Sequence, residues 1–188
     1  MNALRATPTD DPADLHVKIS PLKRRHLRQL MKIEQQVYPR PWSVGVFYGE
    51  LAHRDGSRCY IVARVGTTVV GYAGLLYADA DAHVTNIAVD PAWHRSKIGT
   101  RLLVTLARQA RAAGSKGMTL EVRVSNHGAQ AMYSAFGFAP VGVRKRYYEN
   151  VEDAIVMWAH DIDSPEYAAR LRDLERAIPG TTSLEGLA

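Results

Sequence analysis

The chain has 188 residues, 46% of them hydrophobic, and a formal net charge of +5. That suits one packed domain rather than two, and no run approaches the roughly 18 to 20 apolar residues that cross a bilayer. Residues 1–16 lack the apolar core of a secretory signal, and the single Cys59 cannot form an internal disulfide. Both point to the cytoplasm. The seven histidines show no H-x-x-x-H spacing and there is no C-x-x-C, so no metal site is expected. Lys23-Arg24-Arg25 and Arg144-Lys145-Arg146 are short, separated basic runs. They read as solvated surface rather than a nucleic-acid footprint, although part of the charge could face an anionic cofactor.

In chain order, residues 1–16 read as a flexible segment and 17–20 as a short strand. Leu27, Leu30, Met31 and Ile33 follow at helical spacing up to Tyr38, where Pro39 and Pro41 break the helix. Ser43 is a suitable N-cap for a second helix holding Val46, Phe47 and Leu51. Strands over 59–65 and 68–77 are joined at Gly66-Thr67, and a third runs over 83–89 into Asp90-Pro91. A long helix over 98–113 places Ile98, Leu102, Leu103, Leu106 and Ala110 inward, with Arg101, Arg108 and Arg111 outside. A strand over 118–124, a short helix from Asn126 to Gly137, and strands over 139–147 and 153–160 complete the domain. A polar helix over 166–177 and a tail close the chain. The organisation is therefore 1–16, a domain over 17–162, and a C-terminal helix and tail over 163–188. The order of elements implies an α/β (α+β) fold with a mixed sheet of about six to seven strands flanked by helices. The strand-helix-strand unit over 83–124 should be parallel, with a ligand at its strand C-terminal end.

The turn from Val89 to Arg101 links a buried strand to the long helix. Free backbone N–H groups at the positive end of a helix dipole form a cradle for phosphate. Arg95, Ser96, Lys97 and Thr100 add donors or charge, and Gly99 admits a close backbone approach. An ordinary strand-to-helix turn with solvated basic residues has the same local sequence.

The series Asn86-Ile87-Ala88-Val89-Asp90-Pro91 and His94-Arg95-Ser96-Lys97-Ile98-Gly99-Thr100 resembles motif A of the GNAT N-acetyltransferases, whose pattern is Gln/Arg-x-x-Gly-x-Gly/Ala. Leu120-Glu121-Val122-Arg123-Val124-Ser125-Asn126 and Ala131-Met132-Tyr133-Ser134-Ala135-Phe136-Gly137-Phe138 resemble motif B. Ile33-Glu34, Pro41-Trp42-Ser43, 144–148 and 152–157 are similar to the RimI-type branch, which acetylates the N-terminal alanine of a small-subunit ribosomal protein. The likeness spans about 18–162. It departs from the pattern where His94 replaces Gln/Arg and Lys97 replaces the first glycine. At a positive φ a lysine would be strained; the expectation is that Lys97 is already helical and adds a phosphate contact.

The resemblance implies an acetyl-CoA-dependent enzyme with a protein N-terminus as acceptor, no membrane partner, and a monomeric or weakly dimeric state. It assigns Glu121 as general base and Tyr133 as general acid. From the residues alone, Glu121 could equally be a surface carboxylate paired with Arg123, and Tyr133 a packing residue beside Met132 and Phe136. The resemblance places the backbone of Ile87, Ala88 and Val89 and the side chain of Asn126 against the pantetheine arm, with Arg95, Ser96, Lys97, Ile98, Gly99 and Thr100 around the diphosphate. Glu34, Trp42 and Tyr147 are expected to wall the amine groove. Two alternatives stand beside this reading. One keeps the fold but acetylates lysine side chains or a small amine, and the other is a non-catalytic acyl-CoA-binding domain.

Overall fold

The computed structural model describes residues 12–53 and 55–187. The expected flexible segment 1–16 lies outside the described residues up to 11, while 12–16 are structured, with Leu15 packed into the core. Strand β1, His16–Pro21, leads into α1, Leu27–Val37, which buries Leu27, Leu30 and Ile33 on one face. Helix α2, Val44–Ala52, begins where the Ser43 side chain accepts the Val46 N–H, so the predicted cap is present.

Strands β2 (Arg58–Val65), β3 (Thr68–Ala78) and β4 (Asp81–Val89) form an antiparallel meander. Helix α3, Ile98–Ala112, then crosses to β5, Gly117–Arg123, which runs parallel to β4 as its helical connection requires. Helix α4, His127–Ala135, precedes the β6 (Ala139–Tyr148) and β7 (Glu152–Ala159) hairpin. Helix α5, Pro165–Arg176, and β8, Thr181–Leu184, end the chain.

All eight strands lie in one mixed sheet, ordered β6-β7-β5-β4-β3-β2-β1-β8. Its two faces carry separate cores. Ile61, Ala63, Val70 and Leu75 meet Trp93, Ile98, Leu102, Leu106 and Phe136 on one side. The alternate residues Tyr60, Val62, Val69 and Tyr72 meet Leu30, Ile33 and Phe47 on the other. In β2 this is the period-two alternation of a strand covered on both faces, and in β3 an extra residue at Val70 shifts it.

The strand count exceeds the expected six to seven because the tail supplies β8, which pairs in parallel with β1 through Val17↔Thr182. A four-residue strand of Thr, Ser and Leu has too little apolar alternation to stand out in the sequence. The arginines of α3 also differ from expectation. Arg101 is 2% exposed rather than outside, and its guanidinium donates to the Pro179 carbonyl and Thr182 Oγ1. Arg108 pairs with Glu175 at 2.6 Å, and Arg111 donates to the carbonyls of Ile162 and Ser164. Periodicity marks charged positions as solvent-facing; here the C-terminal segment covers them.

Two irregularities shape the centre of the sheet. Gly74 pairs with Asn86 and Leu75 with Val84, leaving Thr85 as an extra residue that bulges β4. A Cβ at Gly74 would lie 2.3 Å from the Tyr60 ring, so glycine is required for that ring to cross the strand. The second irregularity is a fork. Strands β4 and β5 pair only from Asp81↔Gly117 to His83↔Thr119. Beyond His83, β4 stays with β3 as far as Val89, while β5 stays with β7 as far as Arg123.

Candidate active site

The fork leaves the second half of β4 without a partner on its β5 side. Backbone groups of Ile87, Ala88 and Val89 that would have continued that ladder can therefore pair with a ligand laid in as a strand. Tyr38, just beyond α1, reaches this segment and donates its hydroxyl to the Ile87 carbonyl at 3.2 Å.

At the far end of β4 the chain turns through Asp90, whose carboxylate accepts the Ala92 N–H at 3.0 Å, and the buried Trp93. Arg95 and Lys97 then both adopt positive φ, +67° and +59°. Lys97 is therefore left-handed and not helical, contrary to expectation. The first α3 turn opens directly from it, with the Arg101 N–H bonded to the Lys97 carbonyl at 3.0 Å. This is the geometry that favours glycine. Lys97 supplies no side-chain cap, so the N–H groups of Ile98, Gly99 and Thr100 point uncapped from the positive helix end. Arg95 and Lys97 are exposed and Ser96 is half-buried beside them. Gly99 is different: a Cβ there would sit 3.5 Å from Met132 Sδ, an ordinary contact that alanine tolerates. Asn126 is the N-cap of α4, accepting the Ala129 N–H at 3.1 Å.

Glu121 sits two residues past the last β4–β5 pair. Its Oε2 lies 3.2 Å from His83 Nε2 and its Oε1 lies 3.2 Å from Arg144 Nη2, with the carboxyl side chain 8% exposed. The alternative pairing with Arg123 is absent among the described residues. Arg123 binds Glu149 and Glu152 at 2.8 and 2.9 Å and stacks on the Tyr148 ring. The His83 hydrogen bond chiefly lowers the Glu121 pKa below the usual carboxylate range; burial opposes it, and the charges of His83 and Arg144 add to the drop. Glu121 is thus a firmly ionised and weakly basic group.

Tyr133 is 9% exposed and packs 5.9 Å from the Phe138 ring. Burial raises its pKa, with Tyr148 adding to the effect, so the phenol stays protonated. Tyr38 lies within electrostatic range of Tyr133 and Tyr148, which gathers three phenols beside the fork. Tyr148 also donates to the Glu121 carbonyl at 3.1 Å, and burial pushes its pKa up to about 12.

Of the three expected groove residues, Glu34 and Trp42 meet through a hydrogen bond, while Tyr147 lies on β6. Tyr147 is 47% exposed on β6, edge-on to Tyr148. Trp42 is half-buried against Phe47. Glu34 is 2% exposed, and its carboxylate accepts the Trp42 N–H at 2.8 Å and the Tyr72 hydroxyl. Burial raises its pKa, partly offset by those bonds. Glu34 is therefore a buried carboxylate that ties Trp42 to Tyr72. His83, Tyr38 and Tyr148 were not singled out by sequence reasoning. No feature of β4 set His83 apart, because the strand also carries Asp81, Thr85 and Asn86. Among the described residues no cluster of three or more His, Cys, Asp or Glu side chains could hold a metal.

The chain matches the acetyltransferase (GNAT) family model over residues 27–138. It is 33% identical to a Bacillus subtilis protein named as a putative ribosomal protein bS18-alanine N-acetyltransferase, over 73% of this chain and 91% of that one. It is 38% identical to the N-alpha-acetyltransferase RimI of Mycobacterium tuberculosis, over 70% and 84% of the two chains. The crystal structure of the Escherichia coli ribosomal-protein-S18-alanine N-acetyltransferase superposes with a TM-score of 0.70 at 30% identity, covering 77% of this chain and 94% of that one. With the forked sheet and the uncapped α3 turn already in place, these likenesses establish that the chain belongs to the acetyltransferase (GNAT) family.

Proposed function

We propose that the protein transfers the acetyl group of acetyl-CoA to the N-terminal α-amine of an alanine-starting protein, a small-subunit ribosomal protein in the cytoplasm. The observation that carries this reading is the fork between β4 and β5, with the uncapped α3 turn at one end and the His83–Glu121 pair at its apex. The relatives named for bS18 alanine acetylation supply the acceptor class.

The residues fit the cofactor. A diphosphate matches the N–H groups of Ile98, Gly99 and Thr100 together with the charges of Arg95 and Lys97. The amide-bearing pantetheine arm matches the unpaired β4 edge at Ile87, Ala88 and Val89, with Asn126 alongside. When bound, acetyl-CoA supplies an acyl group activated as a thioester.

The acceptor must lose a proton before it attacks. An α-amine has a pKa of about 7.7–8.0 against about 10.4 for lysine, so a modest base suffices. Imidazole exchanges protons near neutrality. With Nε2–H donated to Glu121, the His83 Nδ1 lone pair is available to take the amine proton, directly or through one water. Glu121 holds the imidazole tautomer and stabilises the charge that forms, aided by its fixed ionisation. Tyr133 Oη holds the proton that the departing sulfur requires.

Mass spectrometry of an alanine-starting peptide, run beside the same peptide with a blocked N-terminus and a free lysine, tests the reaction. Acetyl on the α-amine alone is expected. Exclusive labelling of lysine overturns the acceptor, and no CoA binding at sub-millimolar concentration overturns the enzyme.

A further inference from the structure

Helix α3 opens at the proposed cofactor turn, yet its opposite flank is occupied by the C-terminal segment. Of the three arginines that meet this segment, Arg108 and its partner Glu175 are 37% and 40% exposed, and so bind weakly. Arg101 is different. Its guanidinium is buried, bonds only to Pro179 and Thr182, leaves Nε without a partner, and has no carboxylate in ion-pair range among the described residues. A buried cation held by two neutral acceptors depends heavily on both.

The same residue also closes the strained turn, because its backbone N–H binds the carbonyl of left-handed Lys97. A lysine persists in that conformation only where its surroundings over-determine it. The segment that receives Arg101 is itself closely fitted. Gly180 turns into β8 at φ +74°, where a Cβ would meet the Leu15 carbonyl oxygen at 2.3 Å. Thr182 lies in register with Val17, and Glu185 bonds Lys18 and Arg64 at 3.1 and 2.8 Å.

We propose that α5 and β8 brace the cofactor turn through Arg101, keeping Lys97 left-handed without a glycine and so setting the affinity for CoA. Arg101 is a positioning residue that acts through Lys97. The proposal rests on the cofactor reading above.

The test measures CoA affinity by calorimetry for the full chain, for Thr182→Val and Arg101→Met, and for each in a Lys97→Gly background. Valine removes one acceptor at nearly constant shape, so Thr182→Val carries the experiment if Arg101→Met does not fold. Both variants should weaken CoA roughly 5- to 20-fold. The peptide KM and kcat at saturating acetyl-CoA should stay within about twofold of the parent. With glycine at 97 the left-handed turn no longer needs support, so the same substitutions should cost less than about twofold. A lower Tm with unchanged CoA affinity, or an equal loss in both backgrounds, overturns the brace. A parent chain that binds no CoA overturns the cofactor reading and the brace together.

Discussion

His83 Nε2 and Glu121 Oε2 lie 3.2 Å apart at the point where β4 and β5 separate. The pair joins a reachable imidazole, 29% exposed, to a carboxylate that is 8% exposed and already engaged by Arg144. In the proposed mechanism the histidine accepts the proton and the glutamate orients it.

His83→Gln should therefore lower kcat/KM at neutral pH by roughly 10²-fold or more. The KM for acetyl-CoA should hold. Parental kcat/KM in His83→Gln would return the base to Glu121 or to solvent.

The direction of the Glu121 shift gives a separate pH dependence. Its folded pKa lies below the unfolded value, so its contribution to stability is present above about pH 4.3. That contribution is lost as pH falls through the folded value. In thermal melts from pH 3 to 7, the gap between the parent and Glu121→Gln should be widest near neutrality and narrow below about pH 4. A gap independent of pH would mean that ionisation of Glu121 contributes nothing.

Tyr133 offers a clean separation of chemistry from packing, because its hydroxyl makes no hydrogen bond to a described residue. Tyr133→Phe keeps the ring against Phe138 and should leave Tm nearly unchanged. Its rate should fall roughly 10²–10⁴-fold. Parental activity would reduce Tyr133 to a packing residue.

Lys97→Gly removes a left-handed strain of about 1–2 kcal/mol while adding unfolded-state freedom worth about 0.4–1 kcal/mol. The net expectation is a small gain, at most about 1.5 kcal/mol, read by urea denaturation. A loss of stability would show that Lys97 is not strained.

Gly74→Ala should destabilise by about 1–3 kcal/mol. The new methyl would meet a Tyr60 ring that is 6% exposed and bonded to Glu50 at 3.0 Å. Denaturation measures the cost; a neutral result would mean that the ring yields and that the bulge at Thr85 tolerates it.

The elements of the fold were legible along the chain because their signals are local. Apolar spacing located α1 and α3, Ser43 and Asn126 are caps in place, and alternation marked β5, whose odd-numbered side chains leave the core. Motif likeness then indicated the family and the turn after β4. The Glu121 partners were not legible, because His83 is 38 positions away in sequence and meets it only across a parallel pairing that stops after three residues. Backbone conformation at Lys97 was likewise beyond residue type, since lysine prefers a helix and only the surrounding turn forces positive φ. The three α3 arginines look solvent-facing by periodicity, but the C-terminal segment engages all three and Arg101 is buried. Local propensity and pattern thus set which elements form, while long-range packing decided which charges meet, because burial and ion pairing depend on neighbours in space rather than in sequence.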